Sequence, residues 1–291
     1  MGVQIGGIRL PRLIDSDELS RLVRDLALKA NFVLPRDVRD VLSSALELER
    51  VELARSALED LVLNFQMAEA EKMPICQDCG LAVVFVDWGQ EVLLTGGSLQ
   101  EAVDLGIRDA YVEGYLRKSV VYDPVYDRRN SFDNAPAVIH LRMVPGDRVE
   151  VTVAPKGMGS ENMSAIRMLK PADGEEGVLR FIEEVVSSAG PNSCPPVVVG
   201  VAVGGNFETA PLWAKRSLLR PMGQRNPDPR YARLEEEALR RINRLGIGAG
   251  GYGGLVTALD VRIEALPTHI AGMPVAVNLC CHALRHAKGV I

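Results

Sequence analysis

Val197-Val198-Val199-Gly200-Val201-Ala202-Val203 is apolar at every position and mostly β-branched, so it reads as a sheet strand. Working outward, Ala137-Val138-Ile139-His140-Leu141 and Val149-Glu150-Val151-Thr152-Val153 are further short β-branched runs. Helical stretches alternate with them. Glu175 to Ala189 sets Val178, Phe181, Ile182 and Val185 on one face, and Tyr231 to Leu245 does so with Leu234, Ala238, Leu239 and Ile242. Nearer the N-terminus, Leu19, Leu22, Val23 and Leu26 follow Asp15 and Glu18 at helical spacing, and Pro35 stops that helix. Val38, Val41, Leu42 and Leu46, then Leu58, Leu61, Val62 and Phe65, continue the period. A Cys-bearing turn and the β-like run Ala82 to Val86 interrupt it, and Ser98 with Glu101 opens another helix through about Tyr115. The pattern predicts an α+β protein with a helical N-terminal part (1–130) packed on a mixed α/β body (131–291). Its sheets should be mainly antiparallel or mixed, and the two parts can also form one continuous catalytic domain. Arg220 to Pro229, rich in Pro, Arg and Gly, reads as a long exposed connection.

Composition narrows the function. The 291 residues are 47% hydrophobic and 24% charged, the balance of a globular protein with its own core. Thirty-three Lys and Arg against 38 Asp and Glu leave a net charge of −5, without the basic stripe that binding nucleic-acid phosphates requires. Met1 to Leu13 hold no apolar core of signal-peptide length, and no membrane-spanning apolar run follows, so a cytoplasmic protein without a membrane partner is expected. Five cysteines in such a chain point away from a disulfide framework and toward metal or redox chemistry.

The cysteines sit in three turn-like settings: Pro74-Ile75-Cys76-Gln77-Asp78-Cys79-Gly80, Ser193-Cys194-Pro195-Pro196, and Asn278-Leu279-Cys280-Cys281-His282-Ala283-Leu284-Arg285. Thiolate ligands are commonly held on turns that Pro and Gly fix, whereas buried structural cysteines behave as small hydrophobes. On these grounds alone, metal binding and a structural role stand level. Cys76 and Cys79 also form a bare C-x-x-C, which fits a redox pair or half a zinc site equally well.

These segments, with three others, resemble the α subunit of class I iron–sulfur fumarate hydratases and L-tartrate dehydratases. The resemblance covers nearly the whole chain. Pro74 to Gly80 resembles the family's C-Q-D-T-G turn, Arg129-Asn130-Ser131-Phe132-Asp133-Asn134-Ala135-Pro136 its R-x-N-T-x-D-N-x-P segment, and Lys156-Gly157-Met158-Gly159-Ser160-Glu161-Asn162 its K-G-x-G-S-E-N loop. Cys194-Pro195-Pro196 resembles the middle cysteine motif, Gly246 to Leu259 the Gly-rich segment, and Leu266-Pro267-Thr268-His269 with Cys281 to Arg285 the C-terminal signature.

The resemblance implies a [4Fe-4S] cluster on Cys76, Cys194 and Cys281, with the fourth iron open as a Lewis acid toward substrate. It implies that Asp78 delivers a proton, that Gln77 hydrogen-bonds the substrate carboxylate, that Arg117 clamps a dicarboxylate, and that the Gly159 N–H and His269 contact substrate. Taken singly, Asp78 also fits an Asx cap and Arg117 a solvated helix end. Cys79 and Cys280 read as structural, His140 and His286 likewise, and His282 as a residue that orients Cys281.

Two departures stand out. Cys79 occupies the position where the family more often has Thr, and the Gly-rich segment continues as Leu255-Val256-Thr257. The chain ends soon after the third cysteine motif, whereas single-chain relatives continue into a domain carrying the catalytic base. A separate β subunit in an α2β2 assembly is therefore expected, with a small dicarboxylate as substrate. The expected activity is reversible hydration of fumarate to L-malate, a step of the tricarboxylic acid cycle. L-tartrate dehydration is the alternative within the same chemistry, and a non-catalytic zinc or cluster-binding structural module the alternative of another class.

Overall fold

A computed structural model describes residues 4–5 and 8–291, with side chains from Leu10 onward. Part of the Met1 to Leu13 stretch discussed above thus lies outside the described residues. In chain order the first elements are β1 (Gln4–Ile5), β2 (Ile8–Arg9), β3 (Arg12–Asp15), α1 (Ser16–Phe32), α2 (Arg36–Leu48), α3 (Glu52–Glu71), β4 (Leu81–Gly89), β5 (Val92–Thr95) and α4 (Leu99–Glu113). There follow β6 (Val138–Val144), β7 (Val149–Lys156), α5 (Met158–Glu161), β8 (Ala165–Leu169), α6 (Gly174–Ala189) and β9 (Val197–Gly205). The last are α7 (Thr209–Ser217), α8 (Pro229–Arg244), β10 (Ala258–Thr268), β11 (Met273–Cys280) and β12 (Ala287–Val290). The fold is α+β with mixed sheets, as the sequence pattern predicts.

The chain divides into two compact units, each discontinuous in sequence. The first comprises Met1–Pro35, Met67–Lys156 and Arg285–Ile291. Its four-stranded sheet has the order β12-β7-β4-β6, with β4 and β6 parallel and the other neighbours antiparallel. Val84, Val86, Val149, Val151 and Val153 form a core with Leu19, Val23 and Ala27 of α1 and Val103, Ile107 and Tyr111 of α4. Each large apolar side chain buried there contributes about 1.5–3 kcal/mol. Both helices start where the sequence signals it. The Asp15 side chain accepts the Asp17 N–H at 2.8 Å, and Ser98 with Glu101 makes a complete capping box.

The second unit comprises Arg36–Gln66 and Gly157–Leu284, and its sheet has the order β10-β9-β11-β8. Strand β9 contains the all-apolar run. It pairs in parallel with β10 and antiparallel with β11. Val197, Val199 and Val201 pack with α6 and α8, while Ala202 on the opposite face meets Ala210 and Ala214 of α7. Cover on both faces is why the run carries no polar alternation.

Residue 130, the boundary the composition marks, falls inside the first unit, because β4 pairs across it with β6 and β7. The N-terminal helices are likewise divided: α1 belongs to the first unit, and α2 with most of α3 to the second. The 220–229 connection is exposed at Pro221, Gly223, Gln224, Pro227 and Pro229, as the sequence suggests, and side chains pin it in place. Arg220 pairs with the fully buried Glu235, Arg225 pairs with Asp260 at 2.8 Å, and the Asn226 side chain donates to the Ile263 carbonyl at 2.7 Å. Its Arg content therefore serves a buried ionic network instead of solvation. Among the described residues, no helix is long and apolar enough to cross a membrane.

Candidate active site

In the first unit the turn 76–80 between α3 and β4 is held by its own carbonyls, nearly all of which meet a side chain. The Cys79 thiol lies 3.6 Å from the Cys76 carbonyl, and Arg285 Nη2 donates to the Asp78 carbonyl at 2.7 Å. The buried Tyr111 hydroxyl stands 2.7 Å from the Cys79 carbonyl and 3.1 Å from that of Gly80, which also accepts from Asn134 Nδ2 at 3.2 Å. Gly80 itself has φ +76°, and a Cβ there would strike the Lys156 backbone at 2.7 Å, so no other residue fits. This frame leaves Cys76 partly exposed and Gln77 exposed, with the Cys76 thiol 3.3 Å from Gln77 Oε1. Asp78 Oδ1 accepts the Gly80 N–H at 3.0 Å, an Asx turn that fixes the direction of its carboxyl group.

Arg117 joins this group through its backbone, whose N–H meets Cys79 Sγ at 3.2 Å. Its exposed guanidinium has no carboxylate partner among the described residues. The segment behind it is braced by the 129–136 loop. Fully buried Asn134 accepts the Ser119 N–H at 2.7 Å, and Asn130 Nδ2 donates to the Lys118 carbonyl at 3.0 Å. Burial pushes the Cys79 thiol pKa up, against the lowering effect of the Arg117 N–H, so Cys79 is held as a neutral donor and acceptor.

The second unit assembles the other two cysteine turns at one end of its sheet. Cys194 sits just before β9 in a left-handed conformation (φ 54°, ψ 63°), and Cys281 follows β11, whose last residue Cys280 pairs with Val198 at the start of β9. His282 Nδ1 lies 3.3 Å from the Cys194 carbonyl, so this histidine joins the two turns in addition to neighbouring Cys281. The Gly-rich segment reaches the same end, where the Gly250 N–H donates to the Pro195 carbonyl at 2.9 Å. A Cβ built on Gly159 would stand 3.6 Å from the Asn192 carbonyl, which places the 157–162 loop beside the Cys194 turn. Gly159 is exposed in the single helical turn α5, where an N–H has no intrahelical acceptor.

His269 stands elsewhere in this unit. It occupies the connection from β10 to β11, two strands that flank β9, at the far end of β11 from Cys281, a strand length of about 25 Å at ~3.3 Å per residue. Its Nδ1 accepts the Ala271 N–H at 3.1 Å, which is a turn-forming contact. Within one chain it does not join the cysteine turns of its own unit.

The sequence reading missed several supporting residues. Buried Glu49, at the end of α2, holds Arg50, Val51, Leu255 and Val256 through their N–H groups at 2.8, 3.0, 2.9 and 3.4 Å. Burial works to raise its pKa, and these donors outweigh it, holding the carboxyl below the usual carboxylate range. Gly254, with φ +126°, makes room, since a Cβ would lie 2.5 Å from the carboxylate. Glu161, in the 157–162 loop, bonds Lys215 at 2.5 Å and Asn278 at 2.9 Å. Only the buried position of Glu49 at a helix end identifies it, and sequence does not display that.

The five cysteines are all thiols. Cys79 and Cys280 are buried, whereas Cys76, Cys194 and Cys281 are at least partly accessible on turns. Within each unit, among the described residues, no three His, Cys, Asp or Glu side chains gather as a metal site. Three accessible thiols on rigid turns, with the other two buried, are a donor set suited to a three-thiolate cluster.

The family model for fumarate hydratase (Fumerase) matches residues 20–290. A putative L(+)-tartrate dehydratase subunit alpha from Methanocaldococcus jannaschii is 39% identical over 274 residues, 93% of this chain and 96% of that protein. The L(+)-tartrate dehydratase subunit alpha of Escherichia coli K12 is 31% identical over 277 residues, 94% of this chain and 90% of its own length. The chain belongs to the fumarate hydratase (Fumerase) family.

Proposed function

We propose that this chain is the α subunit of an iron–sulfur hydro-lyase that interconverts fumarate and L-malate, its remaining catalytic groups lying on a separate β subunit in an α2β2 assembly. The observation that carries this reading is the turn 76–80, which presents a partly exposed thiol, an oriented carboxyl and an unpaired guanidinium within one braced frame. Cys76, Cys194 and Cys281 would hold a [4Fe-4S] cluster. Bound there, a cluster with one iron free of protein ligands supplies a Lewis acid for a hydroxyl and a carboxylate oxygen.

The chain's own residues do the rest. Arg117 binds a substrate carboxylate, with an advantage in affinity because no carboxylate among the described residues competes for it. Gln77 and the Gly159 N–H supply neutral donors to carboxylate oxygens. Asp78, protonated at Oδ2 while Oδ1 keeps the Gly80 bond, gives its proton to the departing hydroxyl in dehydration and recovers it in hydration. The base that takes the C–H proton belongs to the β subunit. His269 stays apart from the cysteine turns of its own unit.

L-tartrate dehydration is the second reading, and the names of the relatives favour it. L-Malate and L-tartrate differ by one hydroxyl, so the groups that distinguish them act on the carbon that bears it in tartrate. The test is anaerobic co-production with the β subunit and assay of fumarate hydration and L-tartrate dehydration side by side. A kcat/KM at least tenfold higher for fumarate is expected. The reverse ratio assigns the tartrate activity, and turnover of neither by a cluster-loaded complex refutes both.

A further inference from the structure

Arg285 is 3% exposed, and its guanidinium reaches the back of the 76–80 turn. Nη2 donates to the Asp78 carbonyl at 2.7 Å and Nη1 to Asn31 Oδ1 at 3.3 Å, while Nε is buried with no hydrogen-bond acceptor. No carboxylate pairs with it among the described residues. The contrast with its neighbours is informative. The Cys76, Cys79 and Gly80 carbonyls face neutral donors, namely the Cys79 thiol, the Tyr111 hydroxyl and the Asn134 amide. Among the described residues, only the Asp78 carbonyl of the turn meets a full positive charge, although a neutral amide could satisfy it.

A buried cation without a counter-charge is unfavourable, and one unpaired guanidinium nitrogen makes it more so. Such a group persists where an anion completes it. The internal anion sites close by are already committed: Asp78 Oδ1 to Gly80, and Asn31 contributes only a neutral amide oxygen. The group still to arrive is whatever the accessible Cys76 thiol holds as a thiolate.

We propose that Arg285 is the buried counter-charge of the 76–80 turn, a positioning residue that offsets the negative charge of the Cys76 thiolate and the cluster bound to it. This rests on the cluster reading of Cys76. It makes Arg285 dispensable, and even unfavourable, in the unloaded chain and necessary in the loaded one.

The test compares Arg285→Gln, which retains donors without charge, and Arg285→Lys, which retains charge in a different shape. Each full-length variant is melted unloaded, then reconstituted with iron and sulfide under argon. The loaded forms are melted, exposed to a chelator and titrated electrochemically. Arg285→Gln should melt at or above wild type when unloaded. Loaded, it should lose iron roughly tenfold faster, the scale of one unit charge acting from about 12 Å at an effective dielectric constant of about 20, and should reduce at a more negative potential. Arg285→Lys should stay near wild type in both loaded readouts.

If Arg285→Gln lowers the unloaded melting temperature as much as the loaded one, or fails to fold, the arginine is structural and the proposal falls. Equal iron loss from both variants refutes it as well. A wild-type chain that takes up neither iron nor sulfide instead overturns the cluster reading itself, which is a separate outcome.

Discussion

Replacing Glu49 with Gln isolates a single buried charge whose only partners among the described residues are backbone N–H groups. The carboxylate holds four of them, two on each oxygen. A Gln amide has one oxygen. Turned to keep the Arg50 and Val51 bonds, it aims its NH2 at the N–H groups of Leu255 and Val256, so two bonds to a charged acceptor become donor–donor contacts in a buried site. At about 1.5 kcal/mol for each bond to a charged group, the loss is about 3 kcal/mol, within a range of about 2–5 once the stranded donors are included. That corresponds to roughly a 150-fold shift in the unfolding equilibrium. The pH dependence is a second signature. The folded pKa is held below its unfolded value, so this stabilisation is complete above the unfolded pKa and is lost as pH falls through the folded one. The difference between wild type and variant should therefore be widest near neutrality and shrink below about pH 4, the usual Glu range. Urea unfolding of the unloaded chain by circular dichroism and tryptophan fluorescence measures both, with coincident transitions required for the comparison. A difference under 1 kcal/mol at unchanged slope, or one that does not narrow in acid, would refute the reasoning.

Three further outcomes follow from the first unit. Asp78→Asn keeps the Asx turn, because its amide oxygen can still accept the Gly80 N–H, yet turnover in the loaded complex should fall by a factor on the order of 10² with the cluster retained; near-normal turnover would remove Asp78 from proton transfer. Cys79→Thr offers a hydroxyl to both the Arg117 N–H and the Cys76 carbonyl, whereas Cys79→Val offers neither. KM should therefore rise severalfold in the Val variant and recover in the Thr variant, and equal KM values in the two would separate Cys79 from the placement of Arg117. Tyr111→Phe strands the Cys79 carbonyl and should destabilise the chain by about 1–3 kcal/mol in thermal or urea unfolding.

How much of this is legible in sequence depends on the range of the interaction. The Val197 to Val203 run announces β9 because both faces of that strand are covered, and Ser98 with Glu101 announces α4 because a capping box is local chemistry. Strand β8 goes unannounced. It is an edge strand with exposed Ala165, Arg167 and Met168, and only its pairing with β11 defines it. The assignment of α2 to the second unit is equally silent, since the Asp37 bond to the Met222 N–H spans 185 residues.

The site divides the same way. Cysteines on turns are visible as Pro- and Gly-flanked motifs, but what braces them is not. Asn134 and Tyr111 reach the 76–80 turn from 54 and 31 residues away along the chain, and Arg285 from 207. His282, read as a residue that orients Cys281, also contacts the Cys194 carbonyl, and spacing alone gives no sign of that. His269 illustrates the converse. A motif can align while the connection from β10 to β11 carries its histidine to the end of the sheet away from Cys281.

The central claim is that Cys76, Cys194 and Cys281 hold an iron–sulfur cluster and that Cys79 and Cys280 do not. Its most direct test is iron, acid-labile sulfide and zinc per chain after anaerobic reconstitution, for the wild type and each Cys→Ser variant. About four iron and four sulfide per chain are expected for the wild type, Cys79→Ser and Cys280→Ser, with loss of both in the other three. Stoichiometric zinc without sulfide, or a Cys79→Ser variant that loses the metal, would contradict the claim and favour a structural metal module.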